Sequence, residues 1–333
     1  MAKAVTVLLT SAGRRVELVR AFQAAARRLG IEARVLATDI NPLAPALHVA
    51  DGAFLVPPTR DAAFVPALVG ICEQERVSLV LPLIDPDIPV LARQREAFRA
   101  AGAAAGVVSA DAAEVTRDKW RTKTFFAGLG LPVARGWTAD DIDPAAVPYP
   151  VFVKPRDGSA GQHAFLARTP AELSFFLGYV PSPMVEEHLP GPEVTTDVVC
   201  GLDGRLRGLV SRKRLEVRGG EVVKGVTVRD ERILDGCRRI AEALPGCGPL
   251  TVQCMLRDGI PHFTEINARF GGGAPLGIAA GVDGPALLLG ELAGIAPEPG
   301  PPGSFREGLY VSRFDDALFL TASDLADVAR RRL

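Results

Sequence analysis

The sequence predicts an α/β unit with a parallel, doubly wound sheet, followed by an α+β region built on antiparallel strands. Three observations carry this. Residues 1 to about 110 alternate short apolar runs with segments of helical period, the pattern of right-handed strand–helix–strand crossovers. From Pro150 onward the pattern turns to short alternating strands separated by glycine turns. Late in that second region, Asp258-Gly259 stands between two alternating runs, the strongest short-range hairpin signal.

Taken in order, the apolar run at 5–10 is the first strand. Residues 15–29 place Val16, Val19, Phe22, Ala26 and Leu29 at helical spacing and stop at Gly30. A strand at 34–38 ends at Asp39, followed by a helix at 62–75, a strand at 78–83, a helix at 89–101 and a strand at 105–109. Ligands of such sheets sit beyond the carboxyl ends of the strands. There the first turn, Thr10-Ser-Ala-Gly-Arg-Arg15, has one glycine where a dinucleotide fingerprint has three. That disfavours an NAD-dependent oxidoreductase, and Asp39-Ile-Asn-Pro42 reads as a capped turn. Asp85 and Asp87 either face a substrate amine or cap the helix after Pro86.

The next helix starts near Thr116 or Asp118, either of which can cap it, and carries Lys119 and Lys123 one turn apart. A strand at 150–155 opens into Arg156-Asp-Gly-Ser-Ala-Gly-Gln-His163, and another follows at 163–167. Such a loop presents unobstructed backbone N–H groups, either as a phosphate cradle with Lys154 at its head or as a plain turn. Strands at 184–189 and 193–199 are joined at Pro190-Gly191. The first frees its last carbonyl and N–H for an adenine edge, and Glu193 can accept from ribose hydroxyls. The same acids also serve as protective charge on an edge strand. A basic strand at 207–218, its partner at 221–228 and an amphipathic helix at 229–244 lead to the hairpin.

In the hairpin, Glu265, Asn267 and Arg269 share one face, and Gln253 can lie across from Glu265. One carboxylate, two amide oxygens and a guanidinium suit Mg²⁺, which takes its other ligands from water and nucleotide phosphates. The competing reading is a solvated polar strand face. Gly271-Gly-Gly273, a helix at 285–292, a proline-rich stretch at 296–302 and a strand at 309–313 complete the chain.

At 333 residues the chain has room for two or three compact units. A net charge of -1 gives no nucleic-acid or anionic-membrane footprint. No apolar run approaches the ~20 residues of a membrane span, and no signal-peptide pattern precedes the first strand. The five cysteines are scattered, with no Cys-x-x-Cys, which fits a reducing cytoplasm and no structural zinc. Nucleophile signatures such as Gly-x-Ser-x-Gly and His-Glu-x-x-His do not occur.

The order Lys119, Lys154 with its glycine loop, Glu186-Glu-His-Leu189, Glu193, then Gln253 and Glu265-Ile-Asn267-x-Arg269 resembles the ATP-grasp superfamily. It looks most like the carbamoyl-phosphate synthase large-chain branch, in which a glutamine takes the first metal position. Thr10–Arg15 is similar to the domain preceding the ATP-grasp fold in that branch. The resemblance implies a pre-ATP-grasp domain over 1–112, a lid subdomain over 113–190 and a C-terminal subdomain with the metal site over 191–333. Together the last two would clasp ATP.

It implies that Lys119, Lys154 and the loop Gly158, Ser159 and Gly161 hold the phosphates. Glu186, Glu187 and Leu189 would form the adenine hinge, and Glu193 would bind ribose. Gln253, Glu265 and Asn267 would ligate Mg²⁺, with Mn²⁺ as a substitute ion. Arg269 would steady phosphoryl transfer, with Lys213 as a second catalytic contact and Arg212 and Lys224 beside it. The implied reaction activates a small-molecule carboxylate as an acyl phosphate for attack by an amine, in a stand-alone, cytoplasmic, homodimeric ligase without nucleic-acid or membrane partners. Room for one synthetase half argues against carbamoyl phosphate synthesis. The contrasting expectations are a large-subunit-like enzyme or a split half of one, and an ATP-binding regulatory module without turnover.

Overall fold

The computed structural model describes residues 4–158, 161–295 and 300–330. The first sheet contains β1 (Val5–Thr10), β2 (Ala33–Asp39), β3 (Gly52–Leu55), β4 (Leu79–Pro82) and β5 (Ala104–Ala105). Its strands run parallel in the order β3-β2-β1-β4-β5. The crossovers carry α1 (Val16–Leu29), α2 (Phe64–Glu75), α3 (Asp87–Arg93) and α4 (Arg95–Ala100). Strand order reverses between β1 and β4, so the ligand crevice opens where the Thr10–Arg15 turn and Asp85 lie.

The sequence reading passed over β3, whose four residues are too few to show a period. The expected strand at 105–109 shortens to two residues. After Ala105 the chain leaves the sheet, Val108 bridges to Gly246, and Ser109 caps the next helix through Ala112 N–H. The expected helix at 89–101 is split at Gln94.

Next come α5 (Ala110–Arg117) and α6 (Lys119–Gly128). Asp118, not Thr116, caps α6 by accepting from the N–H groups of Trp120 and Arg121. The second sheet holds β6 (Gly136–Thr138), β7 (Val151–Pro155), β8 (Phe165–Ala167) and β9 (Pro183–Glu187), antiparallel in the order β6-β9-β7-β8. With α7 (Pro170–Tyr179) it buries its own small core of Val151, Val153, Ala167, Leu173 and Val185.

The third sheet is antiparallel, in the order β14-β13-β10-β11-β12-β15. It comprises β10 (Glu193–Cys200), β11 (Leu206–Arg218), β12 (Glu221–Thr227), β13 (Gly248–Arg257), β14 (Ile260–Asn267) and β15 (Tyr310–Ser312). One face is apolar and packs on α8 (Glu231–Ala243) through Ile233, Cys237 and Ile240 against Val198, Val252 and Phe263. The same core runs on into one face of the first sheet through Leu8, Leu36 and Val80. The other face of the first sheet, with Leu9, Val35 and Leu81, is closed by α1 and by later parts of the chain. Those are α9 (Ala274–Ala279), α10 (Gly284–Ala293) and α11 (Ala322–Arg330). The first and third sheets therefore share continuous cores, leaving the polar face of the third sheet as the surface on which a site can form. No described helix is long and apolar enough to cross a membrane.

Candidate active site

The site begins with the β13–β14 hairpin. Asp258 and Gly259 have φ of 51° and 74°, the left-handed pair that a type I′ turn requires. Counting outward from that turn, with Arg257 opposite Ile260, would set Gln253 against Thr264. A bulge between Gln253 and Cys254 absorbs one residue and pairs Gln253 with Glu265 instead. The sheet then lines up a polar row: Glu265, Gln253, Thr195, Arg212 and Thr227, each opposite the next on adjacent strands. A second row follows with Asn267, Thr251 and Asp197.

Of these rows, Glu265, Gln253, Thr195, Arg212, Asn267 and Thr251 floor a cavity of about 600 Å³. Lys119 enters from the start of α6, Lys154 from β7, and Gly158 and Gly161 from the loop after β7. Glu186 to Leu189 and Glu193 line it from the β9–β10 connection. Arg15 from the first turn and Gly271–Gly273 complete the wall. Sites predicted from residues more than 140 positions apart thus converge. Ser159 lies outside the described residues.

The charges are closely interlocked. Lys154 Nζ is 2.6 Å from Glu186 Oε2, and Lys123 Nζ is 3.5 Å from the other carboxylate oxygen. Burial lowers the pKa of Lys123, and Glu186 opposes that shift. Lys119 donates to Gly158 O at 2.5 Å and lies 4.0 Å from Glu265. Burial pushes Glu265 above the usual carboxylate range, while Lys119 and Lys154 pull it back. Glu193 Oε1 accepts from Arg214 at 2.7 Å and from Gln253 Nε2 at 2.5 Å. That contact turns the amide nitrogen of Gln253 away and leaves its oxygen as the group for a metal. Arg269 Nη2 is 2.7 Å from Asp85 and 3.4 Å from Asn267 Oδ1. Glu187 is held by Arg257 at 2.9 Å and by the Arg135 N–H.

Two expectations on the basic strand do not hold. Lys213 does not line the cavity, because strand alternation turns it to the face opposite Arg212 and Arg214, which do. Lys224 is exposed and pairs with Glu216 at 2.6 Å. On the first sheet the capped turn at Asp39 holds, whereas neither Asp85 nor Asp87 caps the helix after Pro86 with its side chain. Asp39 accepts from the N–H groups of Gly13 and Asn41, as a turn cap does. Asp87 is fully buried and accepts from the hydroxyls of Thr10, Ser11 and Thr59, so it braces the first turn. Sequence reasoning missed Arg15, Thr195, Arg214 and Thr251 as cavity residues. The period-2 alternation that selects Gln253 also selects Arg212 and Arg214 over Lys213; Arg15 had no local signal.

Glu265 carboxylate and the Gln253 and Asn267 amide oxygens form a hard-oxygen donor set that fits Mg²⁺. Among the described residues no group of three or more His, Cys, Asp or Glu could hold a metal by itself. The buried Nε atoms of Arg212, Arg214 and Arg269 have no hydrogen-bond partner, which fits a cavity shaped around anionic ligands.

Comparisons with known proteins agree with this geometry. Residues 7–105 match the family model of the PylC-like N-terminal domain. Residues 180–317 match the model for ATP-grasp in the biosynthetic pathway with Ter operon. The chain is 30% identical to a formate-dependent phosphoribosylglycinamide formyltransferase of Synechococcus sp., over 79% of this chain and 69% of that protein. It is 29% identical to a D-alanine–D-alanine ligase of Gloeobacter violaceus, over 27% of this chain and 34% of that one. Among solved structures, the N5-carboxyaminoimidazole ribonucleotide synthetase of Thermus thermophilus superposes with a TM-score of 0.70 at 22% identity, over 91% of this chain and 81% of that one. The biotin carboxylase domain dimer of Hydrogenobacter thermophilus 2-oxoglutarate carboxylase, in complex with MgADP, superposes with a TM-score of 0.71 at 17% identity, over 91% and 73%. A parallel-sheet domain, two antiparallel sheets around one cationic cavity, and these relatives lead to one conclusion: the chain belongs to the ATP-grasp family of ADP-forming, ATP- and Mg²⁺-dependent ligases.

Proposed function

We propose that this protein joins a small-molecule carboxylate to an amine, using ATP to activate the acid as an acyl phosphate. The observation that carries this reading is the meeting of Lys119, Lys154 and Arg269 with Glu265, Gln253 and Asn267 in one cavity. Phosphoryl transfer needs positioning and charge neutralisation rather than a protein nucleophile, and this cavity supplies both.

In the proposed reaction, the adenine edge meets the backbone of Glu186–Leu189 and ribose lies near Glu193. Lys154 exchanges its Glu186 partner for phosphate oxygens, and Lys119 holds the terminal phosphates beside the glycine loop. An oxygen of the acid attacks the γ-phosphorus, ADP leaves, and an acyl phosphate forms. Arg269 neutralises charge on the transferring group. The amine then attacks the acyl carbon, phosphate leaves, and the amine proton passes to solvent. Mg²⁺, when held by Glu265, Gln253 and Asn267, supplies further charge neutralisation on the phosphates.

The test is ADP release measured over a panel of amino acids and other small carboxylates, each with amine acceptors and with hydroxylamine to trap acyl phosphate. ADP release that depends on a carboxylate, and falls by about 100-fold or more in Glu265→Ala, supports the ligase. Nucleotide binding without turnover on any pair would favour an ATP-binding regulatory module.

A further inference from the structure

Among the described residues β15 ends the third sheet, with β12 on one side and no strand on the other. Leu309 O accepts from the Thr227 N–H, and the Arg313 N–H donates to Val223 O, both at 2.9 Å. The ladder to β12 therefore runs from Leu309 to Arg313. Backbone groups alternate in direction along a strand, so Leu309, Val311 and Arg313 bond inward. Those of Tyr310, Ser312 and, one step on, Phe314 point outward. Arg313 is held on the inner side by Glu17 at 2.7 Å and Glu221 at 3.2 Å. Asp315 lies 3.3 Å from Arg218 at the β11–β12 tip. The edge is thus pinned in place before anything docks on it.

The edge and the segment that follows it carry exposed apolar side chains. Tyr310, Phe314 and Phe319 are 71%, 88% and 94% exposed. At about 200 Å² for each aromatic side chain, they offer roughly 500 Å² of the ~800 Å² that a stable interface takes from each partner. Native edges are blunted by charge, proline or a bulge. Short length aside, Tyr310, Ser312 and Phe314 supply none of these, and the charge among them, Arg313, is turned inward. A net charge of -1 puts little repulsion between two copies. Two copies paired antiparallel about Ser312 set Tyr310 against the partner's Phe314, a cross-strand aromatic pair made twice. Over residues 308–316 this register places no two like charges opposite. Centring on Arg313 would set that guanidinium against its own copy, and centring on Val311 would set Asp315 against the partner's Glu307.

We propose that the outer edge of β15 is a homodimer interface, in which two copies join their third sheets antiparallel about Ser312. The outward backbone groups call for an extended strand, and the aromatic and charge pattern is complementary to a second copy of this chain. The proposal is independent of the ligase reading, because Tyr310, Ser312 and Phe314 do not line the cavity.

Sedimentation velocity of the full chain tests it. Twice the mass of one chain is expected at about 100 µM, above the Kd of a specific interface of this size. Tyr310→Lys/Phe314→Lys is expected to be a monomer with the far-UV circular dichroism of the wild type, since both side chains are exposed. Ser312→Cys tests the register. Directly opposed residues of an antiparallel pair stand close enough for a disulfide, so mild oxidation is expected to link two copies at that position, read by peptide mass spectrometry. Val311→Cys, which meets the partner's Arg313 in this register, is expected to give no such link. A monomeric wild type would overturn the proposal, including one whose aromatics bind phosphatidylcholine vesicles instead. So would a dimer that survives the double substitution, or Ser312→Cys linking no more readily than Val311→Cys.

Discussion

Among the described residues, Arg212 of the cavity floor and Asp197 form the one ion pair whose two members are both buried, at 3% and 7% exposure, with Arg212 Nη1 donating to Asp197 Oδ2. The two halves of that pair are expected to respond differently to deletion. Asp197→Ala leaves a buried guanidinium that cannot shed its proton, and breaking a buried pair in this way costs about 3–5 kcal/mol. Arg212→Met leaves a carboxyl, which can take up a proton. Burial already pushes Asp197 above the usual carboxylate range, and Arg212 holds it down; removing Arg212 releases that restraint. A folded-state pKa above the unfolded one means the native state binds more protons. Stability then falls as pH rises from the unfolded value, about 4, through the folded one, by up to about 1.4 kcal/mol per pH unit. Arg212→Met is therefore expected to be mild near pH 5 and to worsen toward neutrality, while Asp197→Ala stays costly throughout. Asp197→Leu/Arg212→Met, with no buried charge left, recovers much of the loss. Urea titrations followed by tryptophan fluorescence between about pH 5 and 8 measure all three variants. Equal and pH-independent costs in the two single variants would refute this account, as would a double variant less stable than Asp197→Ala.

Backbone geometry separates two glycines. Gly191 has φ of 140°, and a Cβ there would lie 2.0 Å from Leu256 O, so Gly191→Ala is expected to cost about 2 kcal/mol or more. Gly259 has φ of 74° with open space around its Cβ, so Gly259→Ala carries backbone strain alone, about 1 kcal/mol; urea midpoints in the reverse order would contradict this. Burial pushes the thiols of Cys72, Cys200 and Cys237 up to about 12 and that of Cys254 up as well. Ellman's reagent should therefore find no more than the half-buried Cys247 reacting readily in the native protein, and all five after unfolding; rapid native labelling of Cys72 would overturn the packing argument. With one carboxylate among its three donors, the hairpin should hold Mg²⁺ weakly without nucleotide and well with it. Calorimetric titration tests this, and tight binding of Mg²⁺ to the nucleotide-free protein would contradict it.

What could be read from the sequence follows from how local the signals are. Asp258-Gly259 announces its own turn, and alternation places Glu265, Asn267 and Arg269 on one face, so the hairpin was legible. The pairing of Gln253 with Glu265 depends on a bulge that no residue type in the hairpin announces. Lys213 is one of three consecutive basic residues. Only the strand's phase, fixed by the pairing of Thr195 with Arg212, says which of them face the cavity. The split at Gln94 and the missing strand after Ala105 reflect tertiary packing, since Val108 is drawn to Gly246 on a distant segment. Arg15 lay beyond reach for the same reason: the Gly271–Gly273 run that it joins in the cavity wall comes more than 250 positions later.

The distribution of apolar cores adds a constraint that no motif carries. Glu265, Gln253 and Arg269 stand on a sheet whose buried face is continuous with that of the first sheet, so their distance from Arg15 and Asp85 is set by shared packing. Lys119 belongs with them, because Phe126 of its helix meets Phe263 of β14 with ring centroids 5.6 Å apart. Lys154 and Glu186 stand on a sheet with a separate core. Glu265, Gln253, Asn267, Arg15 and Lys119 are therefore fixed relative to one another, while Lys154 and the Glu186–Leu189 segment are tied to them through polar contacts such as Arg257–Glu187 and Arg156–Asp118. Polar, partly exposed ties are weaker than apolar packing. The division suits a reaction in which the acid and the transferring phosphoryl group need fixed alignment, whereas ADP must leave once each cycle.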